Sequence, residues 1–191
     1  MTRDELLDMF RGSGALLEGH FRLSSGLHST GYLQCALVLQ YPVYADGLGR
    51  AIAEGLRELR PTVVLSPAMG GVIIGQEVGR ALGVRAIFAE RQDGSLTLRR
   101  GFTLSPSDRV VVIEDVVTTG GSTRETMQLA AAAGCAVVGV GSVVDRSDGQ
   151  ATLGAPYVAL LQVSLPTYEP DACPLCAQGV PIVKPGSRPT A

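Results

Sequence analysis

The chain has 191 residues, 18 acidic and 16 basic side chains and a formal net charge of −2, with 46% of its residues hydrophobic and 18% charged. That length suits one domain with its own core, and that apolar content excludes a disordered chain. The small negative charge argues against binding nucleic acid through a general electrostatic field.

A mean hydropathy of +0.24 raises the question of a membrane. The longest uncharged stretch, Thr126–Val144, is long enough to span a bilayer. It reads instead as helix formers to Ala133, a stop at Gly134 and a β-branched run from Ala136. Asp4, Glu5 and Asp8 make the start unlike a signal or transit peptide. The expectation is a cytoplasmic protein with neither a membrane nor a nucleic acid as partner. An amphipathic helix is predicted over residues 2–10, with Thr2 as N-cap and Glu5 completing a capping box. Residues 14–41 read as irregular, with short extended pieces. Pro42 opens a helix to Leu59, with Val43, Leu48, Ile52, Leu56 and Leu59 on its apolar face. Strands and helices then alternate: strand 63–65, helix 71–82, strand 86–88, strand 110–113, helix 122–133, strand 137–144 and strand 157–163. A polar, arginine-bearing excursion fills residues 90–107, and a Pro/Cys-rich tail follows the last strand. Short apolar strands alternating with helices imply a mainly parallel sheet covered on both faces. Ligands of such sheets gather at the carboxyl ends of the strands, here Ser66–Gly71, Glu114–Thr123 and Asp145–Gly149.

The strongest feature is VVVIEDVVTTGGST, Val110–Thr123. Glu114 and Asp115 end a buried strand, Val116 and Val117 follow, and Thr118, Thr119, Gly120, Gly121 and Ser122 lead into a helix. A glycine- and hydroxyl-rich turn at a helix N-terminus presents N–H groups and a favourable dipole to a phosphate monoester. Adjacent carboxylates beside that phosphate must face something else, either a ribose diol or hydrated Mg²⁺. Neither a Walker A motif nor a GxGxxG occurs.

This stretch resembles the 5-phosphoribosyl 1-pyrophosphate (PRPP) motif of type I phosphoribosyltransferases. The resemblance implies an α/β fold with a mainly parallel central sheet flanked by helices and a small N-terminal hood. One domain over residues 1–191 is expected, with the hood at about 14–41 and a tail at 164–191. It further implies that Glu114 and Asp115 bind the ribose hydroxyls of PRPP while Thr118–Ser122 hold its 5-phosphate, with Val116 and Val117 also counted as PRPP-binding and Mg²⁺ as cofactor.

Phe21–Ala36 resembles the hood of orotate phosphoribosyltransferases, although Ser24 stands where that family has a lysine. Ser142–Arg146 resembles their strand-end Asp-Arg, which implies that Arg146 contacts orotate; an arginine fork suits a carboxylate. Thr118 stands where hypoxanthine/guanine enzymes have an aspartate, which favours orotate as the base. Met69, Gly70 and Gly71 fall in the pyrophosphate loop, which in this fold often has a cis peptide. Arg91, Arg99 and Arg100 replace the lysines and histidine of the long mobile loop. They are the expected pyrophosphate ligands, with Arg91 placed among the catalytic residues beside Glu114 and Asp115. The resemblance implies Mg²⁺-dependent transfer of ribose 5-phosphate from PRPP to orotate, in pyrimidine biosynthesis, by a homodimer. The alternatives are purine or uracil salvage, or a PRPP-sensing regulator that binds nucleic acid.

Cys173 and Cys176 form a single CxxC with no second pair or matched histidines, so no protein metal site is expected. A structural tail turn is the favoured reading, with a local disulfide or a metal shared across a dimer as alternatives. His20 and His28 are expected at the surface.

Overall fold

The computed structural model describes residues 1–23 and 25–185. Ser24, where the hood lacks a lysine, and tail residues 186–191 lie outside the described residues. In chain order the elements are α1 (Arg3–Gly12), β1 (Leu16–Arg22), β2 (His28–Leu33), α2 (Cys35–Leu39), α3 (Pro42–Leu56), β3 (Val63–Pro67) and α4 (Gly70–Leu82). There follow β4 (Arg85–Gln92), β5 (Ser95–Leu98), β6 (Arg109–Val117), α5 (Gly121–Ala132), β7 (Ala136–Asp145), β8 (Tyr157–Gln162), β9 (Thr167–Tyr168) and α6 (Pro174–Ala177).

Two compact units emerge, one comprising residues 39–163 with Met1, the other residues 2–38 with the chain from Ser164 onward. The larger unit holds a six-stranded sheet in the order β5-β4-β3-β6-β7-β8, parallel except for β5. Strand residues alternate between its two faces. Val63, Leu65, Val110 and Val112 form a core cluster with Ala130 of α5. On the other face, a Cβ on Gly141 of β7 would lie 2.6 Å from Ile52 of α3 and 2.9 Å from Ile113, so only glycine lets α3 settle there. Because both faces are covered, β3, the Val110–Ile113 run of β6 and β7 up to Val144 carry no charged side chain.

Pro42 opens α3 as expected, and Leu48, Ile52 and Leu56 are fully buried. Val43 is not on that buried face: it is 74% exposed, because the chain enters the helix at that turn. The polar excursion is in part a β-hairpin, with Gln92 paired to Ser95 across Asp93-Gly94.

In the smaller unit, Thr2 caps α1 and the capping box with Glu5 is closed. The segment expected to be irregular forms β1, β2 and α2, and its two strands join β9 of the tail in an antiparallel sheet, β1-β2-β9. This pairing corrects the expectation for the histidines. His20 and His28 are only 3% and 7% exposed, because β1 and β2 turn them inward beneath the tail segment that carries Cys173 and Cys176. All four cysteines are free thiols.

Candidate active site

β6 runs further than its apolar core predicts, through Glu114 and Asp115 to Val117. The acids are therefore fixed by the ladder; Glu114 sits opposite Ser142 and is 7% exposed. Asp115 Oδ1 accepts the Val116 N–H at 2.9 Å, and Glu114 Oε1 accepts the Asp115 N–H at 3.3 Å. Burial disfavours the charged form of both groups. It raises Asp115 above the usual carboxylate range. Burial, reinforced by the neighbouring Asp115 charge, pushes Glu114 up to about 9. The pair therefore keeps a proton at neutral pH unless hydroxyl donors or a cation arrive.

The start of α4 lies against this pair. A Cβ on Gly70 would stand 2.5 Å from Asp115 Oδ1, and one on Gly71 would stand 2.8 Å from the Ile113 carbonyl oxygen. Glycine at both positions is what allows the loop after β3 to reach the end of β6. The peptide between Ala68 and Met69 is cis, and Met69 is 84% exposed.

After β6 the chain turns through Thr118 and Thr119, both exposed, to Gly120 in the left-handed conformation (φ 74°). Gly120 is the N-cap of α5 and no side chain caps the helix, so its first-turn N–H groups remain available to an anion. Arg124 Nη2 donates to the Thr119 carbonyl at 2.7 Å and clasps the turn from behind. Glu114 and residues 116–123 enclose a cavity of about 180 Å³. A larger cavity of about 360 Å³, lined by Val72, Ile73, Gln76, Phe88 and Phe102 among others, shares none of those residues.

The chain matches the phosphoribosyl transferase domain over residues 38–165. Over 98% of its length it is 55% identical to the orotate phosphoribosyltransferase of Heliobacterium modesticaldum, covering 100% of that protein. It is 52% identical to the enzyme of the same name from Chlorobium phaeobacteroides, over 98% of this chain and 97% of that one. The chain belongs to the orotate phosphoribosyltransferase family. The fold agrees: the Mycobacterium tuberculosis orotate phosphoribosyltransferase superposes with a TM-score of 0.71 at 26% identity, covering 84% of this chain and 96% of that one. For the Aeropyrum pernix enzyme the TM-score is 0.70 at 25% identity, with 83% and 93% covered.

As in other type I phosphoribosyltransferases, the central sheet is mainly parallel and flanked by helices. Its register brings together the two residues expected to meet the base: Val117 pairs with Asp145, so Thr118 and Arg146 leave adjacent strands side by side. The Arg146 N–H donates to the Val117 carbonyl at 2.8 Å, and the buried Asp145 anchors the turn by accepting the Ser147 N–H at 2.7 Å. In this member of the orotate phosphoribosyltransferase family the hairpin arginines differ among themselves. Arg91 pairs with Glu125 of α5 at 2.8 Å, and Arg100 pairs with Glu90 at 2.7 Å while lying over the Phe88 ring. Among the described residues, no carboxylate lies within salt-bridge distance of the exposed Arg99. Glu125 also accepts the Leu96 N–H at 2.7 Å, which ties the hairpin to the helix that opens the phosphate turn. The sequence reading missed this role for Glu125, and Arg124-Glu125 at the helix start was its only signal.

Proposed function

We propose that the chain transfers ribose 5-phosphate from PRPP to orotate, giving orotidine 5-monophosphate and pyrophosphate. The observation that carries the reading is the pair of buried Glu114 and half-buried Asp115 directly beside an uncapped helix start, with Arg146 stepping off the next strand. The N–H groups and hydroxyls of Thr118–Ser122 take the 5-phosphate. Glu114 and Asp115 accept from the ribose 2- and 3-hydroxyls, which fixes the sugar while bonds change at its anomeric carbon. Arg146 meets the orotate carboxylate with its planar fork, and Thr118 hydrogen-bonds the base. Met69–Gly71 and Arg99 take the departing pyrophosphate; at Arg91 and Arg100 it would have to compete with Glu125 and Glu90. The donor set fits Mg²⁺, a hard cation that takes one or two carboxylates along with substrate phosphates: Glu114 and Asp115 would hold it near the ribose hydroxyls, and it would supply positive charge to the leaving group.

A homodimer and a cytoplasmic setting complete the reading. Among the described residues, no helix is long and apolar enough to cross a membrane. The test is a base panel: purified protein, Mg²⁺ and PRPP with orotate, uracil, adenine, hypoxanthine, guanine and xanthine. Loss of orotate absorbance with pyrophosphate release, for orotate alone, is expected. Turnover of another base, or RNA binding without turnover, overturns the assignment.

A further inference from the structure

We propose that His20, His28, Cys173 and Cys176 form a tetrahedral site for one Zn²⁺ ion in the smaller unit. One ligand atom from each of the four residues lies within 4.8 Å of all the others. Strand pairing explains the convergence. Tyr168 of β9 pairs with His28, and beyond the Cys-x-x-Cys turn the Val183 N–H donates to the His20 carbonyl at 2.9 Å. The segment bearing the cysteines is thus held at both ends to the strands bearing the histidines.

Hydrogen bonding alone does not account for the geometry. His20 Nδ1 lies 2.8 Å from the Val180 carbonyl oxygen, which can only accept, so Nδ1 carries the proton and Nε2 the lone pair. That single lone pair is approached by His28 Nδ1 at 3.1 Å, Cys173 Sγ at 3.5 Å and Cys176 Sγ at 3.7 Å. Cys176 Sγ is also 3.3 Å from His28 Nδ1. One lone pair in the ring plane cannot serve three donors, whereas a central cation satisfies all four groups at once. With Zn–N near 2.0–2.1 Å and Zn–S near 2.3 Å, tetrahedral ligand atoms stand about 3.3 Å apart for two nitrogens and about 3.5 Å for nitrogen and sulfur. The four separations given above lie within about 0.2 Å of those edges. A carbonyl that fixes the far nitrogen of a ligating histidine is the usual outer support of such sites.

The chemistry narrows the occupant. Two thiolates and two neutral imidazoles suit a borderline-soft ion, and the two thiolates neutralise a divalent charge in place. A two-iron cluster would divide histidines from cysteines between two metals, which the 3.3 Å contact between Cys176 and His28 forbids. Four protein ligands leave no open position, so the site is structural, and it fastens the tail turn to the β1–β2 hairpin. Binding releases the two thiol protons to solvent.

The test uses the full chain, expressed with added zinc and without a histidine tag, and analysed for metal by mass spectrometry. About one zinc per chain is expected. Exchange for Co²⁺ should give the visible bands of a tetrahedral cobalt site together with thiolate-to-metal charge transfer. The Cys173→Ser/Cys176→Ser double variant should lose the metal, while Cys135→Ser, at a buried cysteine of the other unit, should keep it. If the double variant does not fold, the cobalt spectrum of the unaltered chain decides. A reduced chain that purifies without metal and takes up neither Zn²⁺ nor Co²⁺ overturns the proposal, as does a folded double variant that retains zinc.

Discussion

The turn after β6 and the β4–β5 hairpin both follow the carboxyl ends of parallel strands, yet they handle charge in opposite ways. In the hairpin two arginines hold carboxylates: Arg91 holds Glu125 and Arg100 holds Glu90. The consequence is visible in the acids, since hydrogen bonds from Arg91 lower Glu125 and those from Arg100 lower Glu90 below the usual carboxylate range. In the turn, buried Glu114 and half-buried Asp115 stand side by side and burial raises both. A group that is satisfied in the empty protein contributes to the fold. One that is frustrated in the empty protein is poised for a ligand, and its relief is available as binding energy.

Breaking the frustrated pair should have the largest effect. Glu114→Gln/Asp115→Asn keeps size and hydrogen-bonding capacity but removes both ionisable acceptors. Two lost charge-assisted hydrogen bonds lower kcat/KM for PRPP by about 10³-fold. Steady-state kinetics at saturating orotate measure this, and a fall below tenfold would leave the acids without a role in binding the sugar.

Next is the residue that completes the turn from the neighbouring strand. Arg146→Ala should raise KM for orotate by roughly 10²-fold with KM for PRPP nearly unchanged, since it removes a bidentate partner for a carboxylate. Arg146→Lys should recover only part of the loss, because an ammonium cannot reproduce the fork. Equal changes in both KM values would mean that Arg146 shapes the turn instead of the base site.

The two regions were not equally legible. Val110–Thr123 is contiguous, so its strand, acids, turn and helix start could be read in order, and the structure differs mainly in running β6 through the acids to Val117. The contact of Gly70 with Asp115 was not legible, because it depends on how close α4 comes to β6. The hairpin did carry a signal. Asp93-Gly94 is a two-residue turn with φ values of 50° and 87°, the pattern favoured between antiparallel strands, but the surrounding arginines made it look like a loop. Least legible was the His/Cys cluster. Its ligands come from β1, β2 and the tail and meet only through pairing between segments far apart in sequence, so local spacing announces the cysteine pair but not the histidines that join it.

The frustration should also be measurable without substrate. Glu114 rises from an ordinary 4.5 to about 9 on folding, so between those values the folded chain binds more protons than the unfolded one. Its penalty on stability is therefore absent below about pH 4.5, grows as pH rises, and is complete above about pH 9. Glu114→Gln removes that penalty. Melting temperatures of the two chains should diverge with rising pH, the variant gaining on the order of 5 kcal/mol near pH 8. Parallel melting profiles would show that the acid is not held neutral in the free protein.

The smallest effects, and the sharpest contrast, lie within the hairpin. If satisfied charges serve the fold, the arginine without a carboxylate partner should matter most to chemistry. Arg99→Ala should lower kcat/KM for PRPP by about tenfold, the scale of one lost charge-assisted contact to phosphate. Arg100→Ala removes an ion pair whose arginine side chain is 62% exposed, and exposed pairs contribute little, so kcat/KM should stay within about twofold. Arg91→Ala should fall between them. It leaves Glu125 with the Leu96 N–H but removes one of the two ties between the hairpin and α5, so its effect should appear in KM for PRPP more than in kcat. The order 99, 91, 100 follows from charge balance alone; the reverse order would mean that an arginine can leave its carboxylate when pyrophosphate binds, and that pairing in the empty protein does not mark a residue as structural.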